Sequence, residues 1–223
     1  MKYVFIDLEM NSIPRKCKKE RSICKREIIE IGAIVLDDNY QEIGCFKEFV
    51  KPDYSDTIFR KYTELTGITT GMVAGANRFE KVLCHFAKWC EELDDSYIIY
   101  AWSDSDLYQI QKEMQLKQIE TTALMQNLFD NWQDFQREYC DMIDSKNVIS
   151  LERALNNAGI GFEGKIHDAL WDARNTSKLF VMSRDPMEMQ AIRDLIHFVQ
   201  EEEKPEEVLS LGSLFDFSAL QIA

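Results

Sequence analysis

The order in which the hydrophobic period changes along the chain restricts the fold more than any other feature. The opening KYVFIDLE, residues 2–9, is rich in β-branched and aromatic residues and reads as a strand. EIIEIGAIVLD (27–37) and EIGCFKEFVKP (42–52) are two further strand candidates, and the turn-like Asp37, Asp38 and Asn39 between them signals a hairpin. FRKYTELTGITTGMVAGA (59–76) is poorly periodic, and Gly67, Gly71 and Gly75 point to a short helix followed by loop. From Phe79 the spacing becomes helical: Phe79, Val82, Leu83, Phe86, Ala87, Cys90 and Leu93 share one face. SYIIYAW (96–102) is then a buried strand, followed by a helix with Leu107, Ile110 and Met114 inward. A hairpin followed by strand, helix, strand, helix predicts an α/β fold, a mixed sheet with helices packed on it, over an all-helical bundle.

Beyond this the pattern is mostly helical. Leu124, Leu128 and Trp132, then Phe135, Tyr139 and Ile143, suggest helices around a short strand or loop. Ser150 caps a helix carrying Leu151, Ala154, Leu155 and Ala158 on one face, GIGFEGKI (159–166) breaks helicity, and another helix begins around Asp168. Asp185 and Pro186 open a last helix bearing Ala191, Ile192, Leu195, Ile196 and Val199. With 223 residues and neither an internal repeat nor a second domain in view, residues 1–200 are expected to form a single domain. Residues 201–223 are an acidic segment and a tail, docked on the domain or free to bind a protein partner; the oligomeric state is not legible.

The formal charge is −13, which would argue against a polyanionic partner if it were evenly spread. Between Arg15 and Arg26, however, seven basic residues stand against Glu20 alone, so this stretch carries +6 and the rest −19. A basic loop on an acidic body suits a narrow phosphate-binding site better than a broad duplex-coating surface. The first apolar run is interrupted by Asp7, and no later run approaches the length of a membrane span. The six cysteines contain no Cys-x-x-Cys pair, so reduced thiols in a cytoplasmic protein are expected, with no membrane partner.

Three groups of residues carry chemistry. Asp7 and Glu9, at the carboxyl end of the first strand, share a face by alternation, and two adjacent carboxylates are costly unless a cation lies between them. Asp104 and Asp106 follow the strand at 96–102; Ser103 and Asp106 have capping-box spacing and Asp104 is itself a candidate cap, but Asp106 also stands where a carboxylate reaches toward the first pair. His167 and Asp172 lie five residues apart, about 140° beyond a full turn, and cannot share a face inside one straight helix. Placing His167 in the incoming loop and Asp172 on the second helical turn removes the conflict. Each group taken alone has a plain structural explanation.

Taken in order, IDLE, AWSDSD and HDALWDARNT strongly resemble the three motifs of the DEDDh 3′-to-5′ exonucleases of the ribonuclease H-like superfamily. The resemblance covers about residues 1–183, including KP (51–52), ELTGIT (64–69) and LERALNNAGI (151–160), and is nearest the interference-related and histone-messenger-processing branch and its bacterial relatives. It implies a ribonuclease H-like mixed central sheet flanked by helices. Two departures are Met10, where a small residue is usual, and Ser103, where glycine often follows the tryptophan.

Carried over residue by residue, the resemblance implies that Asp7, Glu9, Asp106 and Asp172 bind two divalent cations, Mg²⁺ or Mn²⁺, and that His167 is the general base. The implied substrate is single-stranded RNA or DNA with a free 3′ end, and the product a 5′-nucleoside monophosphate. Thr66, Gly67 and Ile68 would lie along the terminal nucleotide, and Met10 and Asn11 against the scissile one. Lys16, Lys18 and Lys19 of the basic loop would follow upstream phosphates. Two other readings stay open here: an inactive exonuclease-fold binding or scaffold protein, and a metal-dependent phosphohydrolase acting on small nucleotides.

Overall fold

The computed structural model describes residues 1–93 and 96–202. The strands are β1 (Lys2–Ser12), β2 (Arg26–Leu36), β3 (Glu42–Lys51), β4 (Asn77–Arg78), β5 (Tyr97–Ala101) and β6 (Trp132–Asp134). They form one mixed sheet in the order β4-β3-β2-β1-β5-β6. The β1–β2 and β2–β3 pairs are antiparallel, whereas β1–β5, β5–β6 and β3–β4 are parallel. β2 is buried at every position after Arg26, the burial expected of a strand covered on both faces, and this burial includes the carboxylates Glu27 and Glu30.

The helices are α1 (Lys18–Ile23), α2 (Arg60–Thr66), α3 (Thr70–Ala74), α4 (Phe79–Glu91), α5 (Ser105–Lys117), α6 (Ala123–Asp130), α7 (Phe135–Met142), α8 (Leu151–Asn157), α9 (Ala169–Ser183) and α10 (Pro186–Glu202). On one face of the sheet, Val4, Ile6 and Leu8 of β1 pack with the apolar side of α4 and with Ile110 and Met114 of α5. On the other, Phe5 and Tyr100 meet α7, α8 and α9. The Phe180 ring of α9 lies with its centre 4.7 Å from that of Tyr100, 5.1 Å from Phe5 and 5.4 Å from Phe135. That aromatic cluster fixes α9 against the strand carrying Asp7 and Glu9. Among the described residues, no helix is long and apolar enough to cross a membrane.

Several expectations need correction. β1 continues to Ser12, so Asp7 and Glu9 stand inside a strand rather than at its end. The basic stretch contains α1. Residues 59–76 hold two short helices instead of one followed by loop: Gly67, at φ 78°, ends α2, and Thr69 caps α3 by accepting from Met72 N. The Ser103–Asp106 capping box does not form; Ser103 Oγ bonds Ser105 Oγ at 2.6 Å and Asp106 turns inward. Asp172 lies in the first turn of α9, not the second. On α10, Met189 and Ile192 are buried but Ala191 and Leu195 are exposed, so the apolar face is narrower than the spacing implied. The side chain of Val199 and the tail from 203 to 223 lie outside the described residues.

Candidate active site

The site begins where the sheet loses a strand. β5 pairs with β1 only from Lys2 to Ile6, so from Asp7 onward β1 keeps a single neighbour, β2. The Leu8 amide on the opened edge is hydrogen-bonded to the Asp106 carboxylate, brought there by the first turn of α5. Register places Asp7 opposite Gly32 and Glu9 opposite Glu30; Met10 then pairs with Ile28, which leaves Ile29 as a bulged extra residue on β2. Ile29 turns into a small cluster with Ile58, Ile68 and Val73.

Gly32 admits α9. A Cβ at that position would lie 2.3 Å from Leu170 N and 2.4 Å from Ala169 C, so the helix backbone occupies the space a side chain would fill. Asp168 caps the helix, accepting from Leu170 N at 3.2 Å and Trp171 N at 3.4 Å. Glu30, 1% exposed, accepts from Ala169 N at 3.2 Å. Lys47, which pairs with Gly32 on its β3 side, binds Asp168 at 2.6 Å and Glu30 at 3.4 Å. This buttress holds the turn before α9, in which His167 adopts φ 61° and its amide is hydrogen-bonded to the Asp172 carboxylate.

Asp7, Glu9, Asp106 and Asp172 thus converge from β1, α5 and α9. Burial is the first cause raising each of their pKa values. Glu9 rises to about 8, with repulsion from Asp172, Glu30, Asp106 and Asp168 added to burial. Asp106 and Asp172 each rise to about 7. Asp7 rises well above the usual carboxylate range, next under repulsion from Asp106, Asp172, Glu9 and Glu30. Arg26 and hydrogen bonds from the backbone oppose the rise at Asp106 without overcoming burial. Side-chain ligand atoms of Glu9, His167 and Asp172 all lie within 4.8 Å of one another. A buried group of carboxylates repelling one another is a donor set for a hard divalent cation.

The other expected residues fall differently. Met10 is half-buried and borders a cavity between α1 and α5. Asn11 is fully buried: its amide donates to Ser55 Oγ and Thr57 O and its oxygen accepts from Phe59 N, so its side chain holds the entry to α2 and offers no contact to a nucleotide. Thr66 and Ile68 are also buried, with Thr66 Oγ1 bonded to Tyr62 O and Ile68 N, and Ile68 packed in the small cluster. Gly67 stays partly exposed, and Lys165 Nζ reaches the neighbouring Thr66 carbonyl at 2.7 Å. Lys16, Lys18 and Lys19 are exposed, while the residues of the basic segment that border cavities beside β1 are Arg15, Arg21, Lys25 and Arg26.

Glu30, Lys47 and Lys165 escaped the sequence reading. Glu30 carried one signal, a carboxylate between the isoleucines of IIEI (28–31); Lys47 and Lys165 carried none, since their partners lie 121 and 99 residues away.

The profile of the Exonuclease family (RNase_T) matches residues 4–180. The chain is 29% identical over 196 residues to ERI1 exoribonuclease 2 of Danio rerio, covering 79% of this chain and 34% of the relative. It is 25% identical over 181 residues to 3′-5′ exoribonuclease 1 of Rattus norvegicus, covering 77% and 50%. The chain therefore spans between a third and a half of these relatives. Its fold is similar to that of the nuclease domain of 3′hExo, a DEDDh family member, bound to rAMP, with a TM-score of 0.69 and 22% identity over 84% of this chain and 94% of that one, and to that of a full-length 3′-exonuclease, with a TM-score of 0.66 and 20% identity over 81% and 59%. The ribonuclease H-like arrangement, the family profile and the meeting of all three motif groups at one opened sheet edge agree, and the chain belongs to the exonuclease family.

Proposed function

We propose that this chain is a divalent-metal-dependent 3′-to-5′ exonuclease that shortens single-stranded RNA or DNA and releases 5′-nucleoside monophosphates. The observation that carries the reading is the convergence of Asp7, Glu9, Asp106 and Asp172, four carboxylates from three separate segments, in a buried setting that raises the pKa of each. Two Mg²⁺ or Mn²⁺ ions fit this donor set, and the four carboxylates would hold them. When bound, such ions supply Lewis acidity toward the attacking and leaving oxygens of a phosphodiester.

The chain's own groups do the rest. His167 is exposed, precedes the α9 cap and faces Glu9 and Asp172, so its imidazole is placed to accept a proton from an attacking water. Its nearness to those carboxylates would also suit a metal ligand, but magnesium and manganese favour oxygen donors, which the four acids already provide. The phosphorus–oxygen bond to the penultimate nucleotide breaks, and that 3′ oxygen takes up a proton. The Glu30–Lys47–Asp168 buttress keeps the His167 turn in place during the exchange. The reading takes residues 1–200 as one exonuclease domain in a cytoplasmic protein; six unpaired cysteines support that location.

The test uses matched RNA and DNA oligomers labelled at either end. With Mg²⁺ or Mn²⁺, 5′-labelled strands should give a descending ladder and 3′-labelled strands labelled monophosphate from the outset, and chelation should stop both. Internal cleavage, shortening from the 5′ end, or hydrolysis of free nucleotides alone would reject the proposal.

A further inference from the structure

A cavity of about 360 Å³ opens between the end of the basic segment and the exposed side of α5. Its lining includes Met10 and Ser105, the immediate chain neighbours of Glu9 and Asp106, which ties the cavity to the two segments that carry those carboxylates. Arg21, Lys25 and Arg26 form one wall and Tyr108 and Lys112 the other, and its lining contains no carboxylate although the chain has 39 acidic residues. Tyr108 is 61% exposed, and Lys112 Nζ lies 5.4 Å from the centre of its ring.

The two walls are tied together. Gln109 Nε2 donates to Arg26 O at 3.0 Å and to Glu113 Oε2 at 3.2 Å, joining α5 to the start of β2 from below the cavity. Arg21 Nη1 donates to Ile13 O, fixing α1 to the chain leaving β1. Ser105, Tyr108 and Lys112 follow three- and four-residue spacing, so they make one stripe along α5 while Asp106, Gln109 and Glu113 face inward. Seven residues of helix extend about 10.5 Å. A stacked strand advances about 3.4 Å per nucleotide, so the stripe spans about three nucleotides.

We propose that this cavity is the track for the nucleotides immediately 5′ of the scissile phosphate, with Tyr108 as a stacking platform and Lys25, Arg26 and Lys112 as phosphate contacts. The proposal deepens the exonuclease reading and rests on it. It moves the principal upstream contact from Lys16, Lys18 and Lys19 to residues that border the reacting end. An aromatic face between cations recognises a single strand with little base preference, because every base presents a π-face and every nucleotide a phosphate. It therefore implies dependence on strand length and base stacking rather than sequence.

The experiment measures binding of 5′-fluorescein oligodeoxythymidylates of two to ten nucleotides to the full chain carrying Asp7→Asn, so that no substrate is consumed, and repeats it with Tyr108→Ala, Tyr108→Trp, Lys25→Ala and Lys112→Ala. Tyr108→Ala should weaken binding of the eight-nucleotide strand by about fivefold or more, with a smaller loss on the dinucleotide, and Tyr108→Trp should recover the affinity. An abasic site within three nucleotides of the 3′ end should erase the difference between Tyr and Ala. Each lysine substitution should lower the slope of log affinity against log salt by about 0.7. The exposure of Tyr108 separates these effects from misfolding, and thermal melting of each variant verifies it.

Equal affinities of the Tyr108 variants, an equal loss at every length, or a loss unaffected by the abasic site would overturn the track. Turnover by the unsubstituted chain separates the two readings. Strand shortening without Tyr108 dependence removes the track alone, whereas Tyr108-dependent binding with no metal-dependent shortening removes the exonuclease reading and with it the track's role at a scissile phosphate, leaving the cavity a single-strand-binding surface.

Discussion

Gly32→Ala places the most demanding test on the way α9 reaches the site. Gly32 pairs with Asp7 on one side and Lys47 on the other, and the α9 backbone lies directly over it. The added Cβ would stand 2.3 Å from Leu170 N, against about 3.4 Å for the start of ordinary contact, so helix and strand must separate by about 1.1 Å. No rotamer change relieves this, because the obstructing atoms include the Leu170 nitrogen and the Ala169 carbonyl carbon. Retreat of α9 also strains the Phe180 packing and draws Asp172 and His167 from Asp7 and Glu9. Overpacking of this kind costs about 1–3 kcal/mol, and a 1 Å misplacement at a reacting centre costs about a hundredfold in rate. The assay pairs thermal unfolding with initial rates on a 5′-labelled oligomer in Mn²⁺. Gly44→Ala is the control on β3: its Cβ would meet a side-chain atom, Val35 Cγ1, at 3.3 Å, and both readouts should stay near those of the unsubstituted protein. A folded Gly32→Ala protein with a rate within threefold of the parent would falsify the argument that this close approach sets the site.

The remaining expectations concern individual acids and the base. Asp106→Asn should lower turnover by about a hundredfold or more, while Asp104→Asn, at an exposed position, should keep most of it; the reverse order in steady-state rates would show that the wrong carboxylate faces the metals. His167→Ala should lower turnover by about 10²- to 10⁴-fold with Mn²⁺ affinity retained by calorimetry, and an affinity loss equal to that of Asp172→Ala would make His167 a ligand instead. Without divalent ions, folded-state pKa values of about 8 for Glu9 and about 7 for Asp106 and Asp172 exceed their ordinary values, so the folded state holds protons that the unfolded chain releases. That contribution is fully present below about pH 4 and is lost as pH rises to about 8. The melting temperature in chelator should therefore fall between about pH 5.5 and 8.5, and Mn²⁺ should reverse the fall; a flat or rising curve would contradict the pKa shifts.

The local parts of this protein were legible in its residues. The hairpin, the α4 face, the strand at 97–101, the caps at Ser150 and Asp185 and a helix start near Asp168 follow from period and turn chemistry, which depend on residues within a few positions of one another. The acids of the site were legible through the order of three motifs, and the structure brings those segments together. What the sequence could not determine was the setting of each group. By its local spacing alone Asp106 reads equally as a helix cap, and it is the end of β5 that leaves the Leu8 amide open beside it. Asn11 had the position of a substrate contact, yet its side chain is consumed by Ser55, Thr57 and Phe59. Glu30 and Lys47 meet the α9 turn across 139 and 121 residues, and Gln109 closes the floor of the α5 cavity across 83. Such contacts depend on strand register, where a slip of one residue reverses every side chain, and on how closely a helix may approach a glycine. Register and approach belong to the packed sheet and helices together, so only the tertiary structure decided which polar side chains surround the four converging acids.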